Sequence, residues 1–101
     1  MNKLNYHFIG ICGISMSALA LYLKSQGHNV QGSDIAKNDI SNFLESNGIK
    51  VFFKHSKQNL GDCDVVVYNY AIKQNNPEYI ESKKRKIKII SRAKLLGEIS
   101  S

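Results

Sequence analysis

Short apolar runs alternate along this chain with longer stretches of helical period. Residues 6–10, YHFIG, read as a first strand. From Ser15 onward Met16, Leu19, Ala20 and Leu23 recur at the i, i+3, i+4, i+7 spacing of an amphipathic helix. Gly27 predicts where that helix stops. The segment HNVQGSD reads as a second strand ending near Ser33 and Asp34. Asp39 opens a short helix in which Ile40, Phe43 and Leu44 share a face, and Gly48 closes it. Residues 49–53, IKVFF, form a third strand, and DVVVYN at 64–69 is a continuous apolar run, the pattern of a parallel strand covered on both faces. Pro77 suits the first turn of a helix reaching about Lys84. Residues 87–90 supply a fifth strand and 93–99 a last helix.

Strand–helix alternation of this kind predicts an α/β fold: a Rossmann-like, three-layer α/β/α arrangement around a five-stranded parallel sheet. Right-handed crossovers give the strand order 3-2-1-4-5. Ligands of such sheets sit beyond the carboxyl ends of the strands, where the order reverses. Here that point lies between strands one and four, and it gathers GICGIS, GSD and NYAI.

Composition narrows the picture. The 101 residues suit one domain, and 43% hydrophobic with 22% charged residues is ordinary for a globular protein. No apolar run approaches the roughly 20 residues of a membrane span, and Gly10 interrupts the amino-terminal stretch before a signal-peptide core can form. A cytoplasmic location is expected, without a membrane partner. Cys12 and Cys63 stand far apart and read as reduced thiols. With three scattered histidines they make no metal-ligand set, so no metal is expected. The net charge of +6 is concentrated beyond residue 71, around KKRKIK at 83–88. That run lacks interleaved aromatics and reads as a solvated helix end rather than a nucleic-acid site.

The chemistry lies in the loops. FIGICGISMS carries a strand into a helix, and Gly10 and Gly13 permit a tight turn with close backbone approach. Amides at the helix start and the helix dipole make an anion site suited to a diphosphate, to which Ser15 and Ser17 add hydroxyls, although Ser17 also suits a bond to its own helix backbone. The dinucleotide fingerprint would need glycine at Gly10, Cys12 and Ser15, and two positions fail; Cys12 puts a side chain where the NAD pyrophosphate should lie. Asp34 ends strand two, either as an acceptor for ribose or base or as a turn former. Asn69, Tyr70, Ala71 and Ile72 should face the first loop across the switch point, with Tyr70 equally suited to the core edge. His55 lies in a polar loop after strand three, and His7 and His28 read as strand-flanking. Cys12 near a helix start has the option of a lowered pKa, yet no base is placed beside it, and no catalytic constellation emerges.

HFIGICGISMSALA, GSD, NYAIKQNNPE and SRAKLLGEI occur in an order and spacing that resemble the N-terminal domain of the Mur ligases. The likeness spans essentially residues 1–101. Against the family pattern HFxGIGGxGMS, His7, Phe8, Gly10, Ile11, Gly13, Met16 and Ser17 match, while Cys12 and Ser15 replace glycines. The resemblance implies a domain that binds UDP-N-acetylmuramate. In it Gly13, Ile14 and Ser15 would cradle the diphosphate, Ser33 and Asp34 would face the uridine, and Ala71 and Ile72 would close the site. His55 would match a family Gly-His pattern in which Lys54 replaces the glycine. The whole enzyme would use ATP and Mg²⁺ to activate the muramoyl carboxylate for attack by L-alanine. By that resemblance the 101 residues match the first domain alone, so the central ATP domain and the C-terminal domain are expected to be absent; no Gly-Lys dipeptide of an ATP loop occurs, and these residues alone should not ligate. Two alternatives stay open: a family member that attaches a recycled tripeptide to the same UDP-sugar, and a small NAD(P)-binding redox or sensor module.

Overall fold

The computed structural model describes residues 3–100. In chain order the elements are β1 (Asn5–Ile9), α1 (Ile14–Ser25), β2 (Asn29–Ser33), α2 (Asp39–Ser46), β3 (Lys50–Phe52), β4 (Val65–Tyr68), α3 (Pro77–Lys84), β5 (Lys88–Ser91) and α4 (Arg92–Ser100). The sheet is parallel throughout and its order is β3-β2-β1-β4-β5, as the alternation of elements predicts. The connection from β3 to β4 departs from the repeat. A single 3-10 turn, Lys57–Leu60, stands where a full helix would complete the pattern. Among the described residues no helix is long and apolar enough to cross a membrane.

The two faces of the sheet are filled by different chemistry. On one, Tyr6, Phe8, Val30, Val51, Val65, Val67 and Ile90 of the strands meet Met16, Leu19, Ala20 and Leu23 of α1, Leu44 of α2 and Leu95 of α4. Each fully buried aliphatic or aromatic side chain there contributes about 1.5–3 kcal/mol, so this layer carries most of the hydrophobic stabilisation. The opposite face has a small apolar cluster of Ile9, Leu60 and Val66, flanked by Tyr79, Ile87 and Ile89. Beside that cluster the buried side chains are polar: His7, Ser33, Glu78 and Ser82. His7 is therefore no strand-flanking residue; it sits inside β1 with no exposed surface.

Helix ends follow local chemistry. Asn38 and Ser41 cap α2 reciprocally, each side chain bonding the other's backbone amide. At α3, Pro77 occupies the first turn and the Asn76 side chain accepts from the amides of Glu78 (2.9 Å) and Tyr79 (3.3 Å). The basic run begins at the exposed end of α3, where Lys83 and Lys84 complement the helix dipole. At the other end of the sheet the chain leaves β1 through Gly10 at φ +82°, a conformation that disfavours any residue with a Cβ.

Gly32 in β2 is required by packing. A Cβ there would lie 2.6 Å from Ile11 Cβ and 2.7 Å from the Phe8 carbonyl oxygen. Gly32→Ala should cost about 1–3 kcal/mol in urea unfolding, because backbone has to move to admit the methyl. Gly97→Ala, in α4 with open space around the added carbon, should instead gain up to about 1 kcal/mol.

Candidate functional site

Beyond the carboxyl ends of β1, β2 and β4 lies an open cleft of about 690 Å³. Gly10 and Gly13 form one wall and Asp34, Ile35 and His55 another. Asn69, Ala71, Ile72, Lys73, Asn75 and Asn76 form the third. Of the residues singled out from the sequence, Gly10, Gly13, Asp34, His55, Asn69, Ala71 and Ile72 come together here.

The loop after β1 is tied down amide by amide. The Ser33 carbonyl accepts from Gly10 N–H (2.8 Å) and Ile11 N–H (3.0 Å), and Asp34 Oδ2 accepts from Cys12 N–H (2.9 Å). Asp34 Oδ1 also accepts from Ala36 N–H (3.0 Å), so this carboxylate braces two loops while lining the cleft. The tethers turn Ile11 and Cys12 into the main core. Cys12 thus points away from the cleft, contrary to the obstruction its place in the fingerprint suggests. Burial, followed by the neighbouring Asp34 charge, pushes its thiol up to about 11, the reverse of an activated cysteine. Helix α1 begins after Gly13, which offers no side chain to cap its first-turn amides. Those amides, rather than the already bonded ones of residues 10–12, are the donors left for an anion.

The side chains of the remaining sequence candidates lie elsewhere. Ile14 is exposed at the head of α1, and Ser15 lines a separate groove with Leu19, Arg92 and Leu96. Ser17 is buried and its hydroxyl donates to the Ile14 carbonyl (3.0 Å). Tyr70 is 80% exposed and stands edge-on to Tyr68 at 6.1 Å, beside a different cavity of about 250 Å³. Ser33 is fully buried beneath the cleft floor.

That floor is a hydrogen-bond network around Glu78, a residue that sequence reasoning passed over. Its Oε1 accepts from His7 Nε2–H and Ser33 Oγ–H, both at 2.6 Å. Its Oε2 accepts from the Ser56 amide (3.0 Å) and Asn59 Nδ2 (2.8 Å). Gln31 Nε2 donates to His7 Nδ1 (2.8 Å) and to the Asn59 carbonyl (2.6 Å), which leaves the His7 proton on Nε2. Ser33 Oγ also meets His55 Nδ1 at 2.8 Å. A signal for this network exists in the sequence. His7 in β1 and Gln31 and Ser33 in β2 are polar positions on strands covered on both faces, and such side chains require buried partners.

Known proteins resemble this chain in sequence and in fold. The sequence pattern described as Mur ligase family, catalytic domain, matches residues 5–101. The chain is 48% identical over 95 residues to UDP-N-acetylmuramate–L-alanine ligase of Buchnera aphidicola subsp. Baizongia pistaciae, covering 94% of this chain and 20% of that protein. The crystal structure of UDP-N-acetylmuramate-alanine ligase MurC from Thermotoga maritima superposes with a TM-score of 0.93 at 34% identity, over 96% of this chain and 23% of that one. The murein-peptide ligase MPL of Neisseria meningitides gives 0.88 at 28% identity, over 96% and 31%. The chain spans about a fifth of the length of the relatives it matches in sequence. Neither the tripeptide-attaching alternative nor the nicotinamide-module alternative is favoured by these likenesses.

The network has a pH signature. Burial raises the Glu78 carboxyl, but the hydrogen bonds from His7, Ser33 and the Ser56 amide outweigh it and hold the group down at about 2, against 4.5 when free. A depressed folded-state pKa stabilises fully above the unfolded value and is lost as pH falls towards the folded one. The stability that Glu78 contributes should therefore be lost as pH falls from about 5 towards 2. Denaturation of Glu78→Gln should start from a lower stability and show a much shallower acid dependence.

Proposed function

Since this chain belongs to the Mur ligase family, we propose that it is the UDP-N-acetylmuramate-binding domain of a ligase that joins L-alanine to that nucleotide sugar in peptidoglycan precursor synthesis. The observation that carries the reading is the cleft at the switch point, opening onto an uncapped helix start in a chain 48% identical to such ligases. In this reading the diphosphate lies against Gly13 and the first-turn amides of α1, and Lys73 supplies a cation from the opposite wall. Asp34 and His55 flank the nucleoside, while Asn69, Ala71 and Ile72 cover it. Gly13 has ordinary extended dihedrals, and a Cβ there would meet nothing closer than 3.8 Å. Folding does not demand glycine at this position; a ligand's close approach does.

ATP and Mg²⁺ do not fit the residues present. No Gly-Lys-Ser/Thr loop occurs in the chain, and among the described residues no group of three or more His, Cys, Asp or Glu side chains is placed to hold a metal. In this reading nucleotide triphosphate and metal, with L-alanine and the acyl-transfer chemistry, fall to other domains of a longer cytoplasmic enzyme. This domain's part is to hold the UDP end so that the muramoyl carboxylate is presented to them.

Isothermal titration of the chain with UDP-N-acetylmuramate should give saturable binding, with none for NADH or NADPH. Gly13→Ala should weaken it by about tenfold or more, close to 1.4 kcal/mol, without moving the unfolding midpoint. Equal affinity for a nicotinamide cofactor, or an unaffected Gly13→Ala, would contradict the reading.

A further inference from the structure

His55 stands where the cleft meets the buried network, lining the first and bonded to the second. Its side chain keeps 24% of its surface exposed, whereas Glu78 beneath it keeps none. The protons along this contact are fixed by elimination. An ionised carboxylate only accepts, so the Ser33 hydroxyl proton points at Glu78 Oε1. Ser33 Oγ then has only lone pairs to offer His55, and Nδ1 must carry the proton that bridges their 2.8 Å separation. A direct bond from Nδ1 to Glu78 is out of reach at 3.7 Å. With its single proton committed inward, a neutral imidazole has a bare Nε2, on a side chain that lines the cleft and keeps part of its surface exposed.

We propose that Ser33 and Glu78 act as positioning residues: through the relay Glu78–Ser33–His55 they lock His55 in its Nδ1–H tautomer, making Nε2 an obligatory hydrogen-bond acceptor for a donor group of the bound nucleoside. That the ligand is a uridine nucleotide rests on the function proposed above, whereas the relay stands on the geometry alone. The donor chemistry is a hydroxyl of the ribose or the imide N–H of the base. A ring free to exchange tautomers accepts or donates with little discrimination. A locked acceptor penalises any ligand that lacks the donor, because a desolvated lone pair is then left unpaired. The negative charge at the far end of the relay strengthens each bond along it. This gives the polar floor a task beyond packing, since an apolar core would hold the sheet as well but would leave the ring's proton unassigned.

The test has two independent arms. Long-range ¹H–¹⁵N spectra of the ligand-free chain at mildly alkaline pH report which ring nitrogen of His55 is protonated. The relay requires Nδ1–H in the wild type and a shift of population towards Nε2–H in Ser33→Ala and in Glu78→Gln. If Glu78→Gln fails to fold, Ser33→Ala carries this arm. An Nε2–H ring in the wild type, or a tautomer that Ser33→Ala leaves unchanged, overturns the relay. In the second arm, calorimetry compares UDP with 2′-deoxy-UDP and N3-methyl-UDP. One analogue should bind the wild type about tenfold more weakly than UDP does, while Ser33→Ala should bind that analogue and UDP alike, which identifies the donor as ribose or base. Equal penalties in both proteins overturn the contact. No binding of UDP at all would overturn the proposed function and the contact with it, while the ligand-free spectra still decide the relay.

Discussion

A carboxylate taken out of water costs several kcal/mol unless its lone pairs are met in place, and Glu78 is fully buried in this fold. Four donors meet it, drawn from β1, β2, the Ser56 backbone and the 3-10 turn. These pieces are distant in sequence, and the helix that brings the acid to them carries Glu78 and Ser82 on its inward face while Ile80 is half exposed. Hydrophobic burial alone accounts for Tyr79 on that face but not for Glu78 and Ser82. The ion and its donors therefore determine how this helix sits on the sheet, and with it where the loop entering α3 runs.

The consequence for the cleft is a division of labour. Its floor is polar, saturated and buried: among the described residues no buried side-chain nitrogen or oxygen lacks a partner. Its rim is made of short loops whose amides are partly spoken for, with Ser33 and Asp34 holding residues 10–12 from beneath. Rigidity below and free donors above is the arrangement by which a site binds an anion without first paying to order itself. The apolar layer on the other face of the sheet supplies stability and seats α1 and the loop before it, through Met16, Leu19, Ile11 and Cys12.

Much of the architecture could be read from the chain. The continuous run at Val65–Tyr68, the helical period after Ser15 and Pro77 at a helix start each have one physical interpretation, and together they give the parallel sheet and its order. The 3-10 turn escaped because four residues are too few to show a period. Three cleft walls were legible because Gly10, Asp34 and Asn69 follow strands. The direction of Cys12 was not, since a loop residue's orientation depends on which carbonyls hold its neighbours' amides. Glu78 was hidden for a related reason: an acid in the first turn of a helix already has a local explanation in the helix dipole. Only the polar positions of β1 and β2, considered together, reveal that it faces inward.

The most direct measurement is a crystal structure of this chain with UDP-N-acetylmuramate bound. The diphosphate should lie at the start of α1 against Gly13, with the nucleoside between His55 and the loop that carries Ala71 and Ile72, and with the Glu78 hydrogen bonds unchanged beneath it. A diphosphate bound away from Gly13 and the first turn of α1, for instance in the groove between α1 and α4, would contradict the account.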